Sequence, residues 1–153
     1  MGLRGDKLTW YNDVELVYDE IGNITSVGAD TELPTRFTWD QENRLAEYRM
    51  HYDSENSTKL EFKYDFEGNR TEKIFWDNVE LSNSLKHEYV VDGSMVLKET
   101  VYTYVLDEVE TFEWSWQQIL QILYYYDQNG APLGMRLQNN AGEDTIYYYR
   151  KNL

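Results

Sequence analysis

Four aspartates, Asp19, Asp40, Asp65 and Asp127, each follow an aromatic residue and stand three places before a glycine or an asparagine. Carboxylates in so fixed a setting are the first candidates for chemistry in this chain. Two of them could hydrolyse a glycosidic bond if they faced one sugar about 5–10 Å apart. With 28 Asp and Glu in the sequence, however, chance pairs are plentiful. Turn capping asks for an aspartate just ahead of a residue that tolerates positive φ, and catalysis does not. A Ser-His-Asp arrangement needs a well-placed histidine. His51 lies on the polar side of an alternating stretch and His87 stands among charged residues, so both are expected to be solvated. Asp53-Ser54-Glu55-Asn56 offers oxygen ligands, but too few for calcium, and reads as a solvated loop. No P-loop, GxGxxG, HExxH or EF-hand loop occurs. The absence of cysteine excludes a disulfide framework and a thiolate zinc site. No catalytic, cofactor-binding or metal-ligating residue is expected, and the chain is read as a non-enzyme.

The elements that must position these aspartates are set by a six-residue pattern. It runs Tyr18-Asp19-Glu20-Ile21-Gly22-Asn23, then Trp39-Asp40-Gln41-Glu42-Asn43-Arg44, then Tyr64-Asp65-Phe66-Glu67-Gly68-Asn69, and last Tyr126-Asp127-Gln128-Asn129-Gly130-Ala131. The aromatic positions are 21, 25 and 62 residues apart. The long gap is expected to hold two degenerate copies, one of them at Tyr89-Val90-Val91-Asp92-Gly93-Ser94. The fifth column reads Gly22, Asn43, Gly68, Gly130, residue types that accept a left-handed backbone. Each copy therefore predicts a strand ended by the aromatic residue, a tight turn capped by the aspartate, and a returning strand.

The flanks have a period of two. Val14, Leu16 and Tyr18 alternate with Asp13 and Glu15, although Val17 breaks the polar side; Tyr48, Met50 and Tyr52 alternate with polar residues, as do Leu60, Phe62 and Tyr64, then Phe112, Trp114 and Trp116. That alternation predicts sheets with one buried and one wet face. Gln117 to Leu123 has apolar residues at helical spacing; a strand is expected from Gln121, with a short helix before it as the alternative. Asp53 to Ser57 and Asp77 to Ser84 read as longer loops. The five tryptophans fill a sheet core on the first reading, since Trp39, Trp114 and Trp116 fall on apolar strand faces. If exposed instead, Trp10, Trp76, Trp114 and Trp116 could stack on sugars.

Composition agrees. The chain is 16% aromatic, which favours strands and argues against disorder. Its net charge of -14 repels nucleic acid and anionic lipid. No apolar run reaches membrane-spanning length and the first residues form no apolar signal core, so neither membrane insertion nor a targeting signal is expected.

These motifs resemble successive tyrosine-aspartate (YD, or Rhs-type) repeats. Residues 126–135 followed by 147–153 are similar to the stretch just upstream of the Rhs-associated core in wall-associated and polymorphic-toxin proteins of Gram-positive bacteria. The resemblance covers nearly the whole chain. It implies β-hairpins coiled as one long sheet into a hollow shell around a C-terminal polypeptide, often a toxin. Related adhesion proteins of animals share it, and carbohydrate binding was proposed for some members. The aspartate-containing self-cleavage motif that ends the core has no counterpart here, so self-cleavage is not carried over.

The expectation is thus an all-β, antiparallel, strongly curved sheet of consecutive YD-repeat hairpins with little helix. Residues 1–153 would form one unit, a fragment of a longer shell. Its expected partners are the rest of that shell and a C-terminal effector, with self-association through open sheet edges. The parent protein would be secreted or at the cell surface. A carbohydrate-binding surface module is the second reading.

Overall fold

The computed structural model describes residues 2–4, 7–51, 55–109 and 111–149. It is all-β. Thirteen strands lie in the sheet in the order in which they occur in the chain, and the ladders between them are antiparallel. Among the described residues the one helical element is a three-residue 3-10 turn, Leu81–Asn83. The chain divides into two compact units. The first comprises Met1–Phe62 and Phe75–Leu81, the second Lys63–Ile74 and Ser82–Leu153. Tyr52, Asp53 and Ser54 lie outside the described residues, as do Arg150 to Leu153. The calcium reading of the 53–56 loop and the end of the family-like C-terminal block therefore fall largely outside them.

The first unit holds β1 (Gly2–Arg4), β2 (Lys7–Tyr11), β3 (Val14–Tyr18), β4 (Ile24–Val27), β5 (Thr35–Trp39) and β6 (Leu45–Met50). It also takes most of β7 (Thr58–Tyr64) and the end of β8 (Arg70–Asp77). Asn12 and Asp13, at φ 49° and 61°, make the two-residue turn between β2 and β3, a left-handed pair suited to the twist of a hairpin. Bulges interrupt the ladders at Gly2/Leu3, Val17/Tyr18 and Thr38/Trp39. Each inserts one residue, bends its strand and adds twist.

The second unit holds the rest of β7 and β8, then β9 (Leu85–Asp92), β10 (Met95–Leu106), β11 (Trp114–Tyr126), β12 (Pro132–Asn139) and β13 (Asp144–Tyr148). Bulges stand at Val96/Lys98, Val101/Tyr102 and Tyr125/Tyr126. Strand β11 runs without a break from Trp114, so there is no helix before Gln121. The bulge explains the misleading pattern. Val101 pairs with Leu120 and Tyr102 with Gln118, leaving Ile119 as the inserted residue. One insertion shifts the two-residue alternation out of phase, and the sequence then imitates a helical period. The 62-residue gap is filled mainly by length, since β10 and β11 have 12 and 13 residues. At Asp92-Gly93-Ser94 the turn has two residues, with Asp92 paired to Met95 and Gly93 at φ 55°.

Neither unit has a thick core. Among the described residues the buried apolar side chains beyond glycine are Val101 and Pro34. The expected wet face is also partly covered. In β7, Lys59 and Glu61 are as shielded as Leu60 and Phe62. Their cover is ionic and aromatic: Lys59 lies 2.8 Å from Glu61 and 5.5 Å from the centre of the Trp76 ring, and the Trp76 indole donates to Glu61 at 2.5 Å. Long stems lying over neighbours shield apolar surface while their charged ends pair.

Candidate functional site

In each of the four sequence copies the aspartate follows the last residue of a strand and closes a five-residue turn. The Asp19 N–H donates to the Asn23 carbonyl at 2.9 Å, and the Gly22 N–H donates to the Asp19 carbonyl at 3.3 Å. Asp40, Asp65 and Asp127 repeat both bonds with Arg44 and Asn43, Asn69 and Gly68, and Ala131 and Gly130. The fourth turn residue is left-handed each time, with φ 106° at Gly22, 64° at Asn43, 90° at Gly68 and 77° at Gly130. One carboxylate oxygen accepts the N–H groups two and four places on, at 2.8–3.1 Å in all four turns. The other accepts the side chain of the last turn residue where that residue has a donor. Asn23 supplies it at 2.9 Å, Arg44 through Nε at 2.8 Å and Asn69 at 3.2 Å.

These donors hold the Asp19, Asp40 and Asp65 carboxyls below the usual carboxylate range. For Asp19 and Asp65 partial loss of solvent pushes upward, and the N–H groups and amide of Asn23 and Asn69 outweigh it. For Asp40 the Arg44 N–H leads, against the same desolvation, with help from the guanidinium. Carboxylates engaged on both oxygens inside their own turns hold a backbone in shape.

In three of the four copies the aromatic residue ahead of the aspartate ties its hairpin to the strand before it. The Tyr18 hydroxyl donates to the Leu8 carbonyl at 2.7 Å, the Trp39 indole to Ile24 at 2.9 Å, and the Tyr126 hydroxyl to Val96 at 2.8 Å. All three acceptors stand immediately before a bulged residue, namely Thr9, Thr25 and Leu97. A bulge disrupts the ladder, and the next aromatic side chain brings a donor to that place. Removing the Tyr126 hydroxyl (Tyr126→Phe) should therefore lower unfolding free energy by about 1 kcal/mol. Tyr148→Phe, at a largely exposed ring, should leave it unchanged. Equal losses in urea titrations of the two variants would count against the tie.

Three further arrangements escaped the sequence reading. Asn139 builds the same turn without a carboxylate. Its N–H reaches the Glu143 carbonyl at 3.1 Å, Gly142 has φ 86°, and its side-chain oxygen accepts from Ala141 and Glu143 at 3.0 Å each. Asp107 caps a longer version closed by Glu113, with Phe112 in the left-handed place at φ 53°. Within the second unit these two turns lie on the sheet edge opposite the Asp65, Gly93 and Asp127 turns, because successive hairpins alternate edges. Second, Lys86-His87-Glu88 repeats the Lys59-Leu60-Glu61 clamp. Lys86 sits 2.8 Å from Glu88 and 4.3 Å from the Tyr102 ring centre, and the Tyr102 hydroxyl donates to Glu88 at 2.8 Å. The recurring Lys-x-Glu was the available signal. Third, His87 is not a solvated group: its Nδ1 lies 2.6 Å from Glu99, whose other oxygen accepts the Tyr124 hydroxyl at 2.8 Å. The three residues come from neighbouring strands, a pairing that no local spacing reveals. His51 is exposed, in a left-handed turn just past β6.

The tryptophans are distributed. Trp39 and Trp76 are tied down as described, and Trp10 is exposed on β2. Trp114 and Trp116 flank Tyr104, with ring centres 5.2 and 4.8 Å away and interplanar angles of 17° and 46°.

Among solved structures the chain is similar to the Tc holotoxin pore of Photorhabdus luminescens, with a TM-score of 0.63 over 88% of this chain at 14% identity. The fold is YD/Rhs-like. At that identity the likeness is one of fold, and the chain spans 7% of the length of the chain it matches. No protein-family model matches it, and no curated protein does.

Proposed function

We propose that the chain is a non-catalytic scaffold, a segment of β-sheet wall in an Rhs-type toxin assembly that is secreted or displayed at the cell surface. The observation that carries this reading is the repeated unit of capped turn, bulge and aromatic tie. It makes each hairpin depend on its neighbour, as stacked repeat architectures do. The likeness of fold to a toxin-complex pore supports the toxin setting. In the parent assembly the wall encloses or presents a C-terminal effector.

The reading is tested on the native assembly. An antiserum against the chain should find it in a large particle with a polypeptide that resists protease until the particle is denatured. Recovery of the chain at its own mass of 18.3 kDa, or digestion of the associated polypeptide at the rate of the free one, would remove it. Glycan binding has one specific observation in its favour, the 38% exposure of Trp114 over Tyr104. Tryptophan fluorescence against a glycan panel would detect it.

A further inference from the structure

We propose that Asn129 is a modification site: its side-chain amide closes onto the Gly130 nitrogen and is hydrolysed, and the Asp127 turn holds that reaction back for as long as it stays folded. The case rests on one turn and is independent of the toxin reading.

The step needs water and no other reactant. The Gly130 nitrogen attacks the Asn129 Cγ and gives up its proton. A C–N bond forms, the Cγ–Nδ2 bond breaks, and ammonia leaves with that proton. Water then opens the cyclic imide at either carbonyl. One opening leaves aspartate. The other leaves isoaspartate, in which the chain runs through Cγ and is longer by one backbone carbon.

Sequence and structure single out this residue. Asn129 is the one asparagine followed by glycine, which has no Cβ to hinder the approach of its nitrogen. It is exposed. Its side-chain amide has no partner among the described residues, since the bond it makes to Asp127 is through the backbone N–H. The amides of Asn23, Asn69, Asn78, Asn139 and Asn140 all donate to oxygens of other residues.

The turn opposes the same step. The Gly130 N–H is already donated to the Asp127 carbonyl at 3.0 Å, and the Asn129 and Ala131 N–H groups are donated to the Asp127 carboxylate at 2.8 and 2.9 Å. The Gly130 nitrogen has its proton engaged and a donor fixed on either side, so it is kept from swinging onto Cγ. The reaction therefore draws on the fraction of hairpins whose turn is open, as amide exchange does. Isoaspartate would place its extra backbone carbon between the two N–H groups that the Asp127 carboxylate spans, so the turn could not re-form with the same bonds. Opening of the hairpin is thus recorded as a covalent mark.

The test is to age the 153-residue chain in alkaline buffer, with and without urea, and to map its peptides by mass and isoaspartate content. Asn129 should be converted ahead of every other asparagine. Urea should speed its conversion at least about tenfold, and so should Asp127→Ala in native buffer, because each raises the open fraction. Asp127→Asn keeps an accepting oxygen, as Asn139 does in its own turn, and should age as slowly as the parent chain. Gly130→Ala, aged in urea where folding plays no part, should slow the reaction. Conversion of another asparagine first would overturn the proposal, as would equal rates for Asn129 in native buffer and in urea. So would an Asp127→Ala chain that ages no faster than the parent.

Discussion

Replacing Gly134 by alanine should detach β13 from the sheet. Gly134 is buried on β12 opposite Tyr148. A Cβ there would lie 2.3 Å from the Tyr147 carbonyl oxygen and 3.3 Å from the Tyr148 Cα. Both obstacles are backbone, so no side chain can swing aside. Either β13 moves out or the Met135–Tyr147 rung breaks. Overpacking of this kind costs about 1–3 kcal/mol, and more where backbone must shift. The variant should melt earlier and lose exchange protection at the Thr145 and Tyr147 amides, while the Asp19 and Asp40 turns keep theirs. Unchanged protection at Thr145 and Tyr147 would show that the close approach is not what sets this position.

Glu99→Ala should be comparably damaging. The Glu99 side chain is 15% exposed and serves both His87 and Tyr124. Its loss strands the Tyr124 hydroxyl against a half-buried sheet face, a penalty of about 1–3 kcal/mol. Glu99→Gln keeps one acceptor and should recover part of it. The pH dependence separates a charge role from a packing role. His87 holds the Glu99 carboxyl below its usual range, against desolvation and with help from Tyr124. A folded pKa lowered in this way adds stability above the unfolded carboxylate pKa, and that stability is lost as pH falls through the folded value. Asp19, Asp40 and Asp65 act in the same sense. Desolvation and Glu99 push the Tyr124 hydroxyl up. A raised folded pKa adds stability below the ordinary phenol value, lost as pH rises through the folded one. Stability should therefore form a plateau with an acid and an alkaline limb. Glu99→Ala should lower the plateau and flatten both limbs, as read from urea midpoints across pH. Limbs unchanged in the variant would assign Glu99 to packing alone.

The hairpins were legible because their signals are local. An aspartate, a left-handed residue three places on and a two-residue period are contained within about ten positions of chain, and they place the Asp19, Asp40, Asp65 and Asp127 turns directly. The Asn139 turn hid because asparagine can replace the carboxylate: its side-chain oxygen accepts the same two N–H groups. The Asp107 turn hid because two added residues moved the left-handed position to Phe112.

What tertiary structure alone decided is how strands meet. The bulge at Ile119 set the face of every later residue in β11, and no propensity of glutamine or isoleucine announces it. The tie from Tyr126 to Val96 spans 30 positions, and the tie from Tyr124 to Glu99 spans 25. Their partners depend on register, which one inserted residue anywhere between would change. The sequence by itself thus determined where the chain turns and that it is β throughout. Which polar groups come together on a sheet face was decided by pairing between strands, because hydrogen-bond register is a property of two segments and neither encodes it alone.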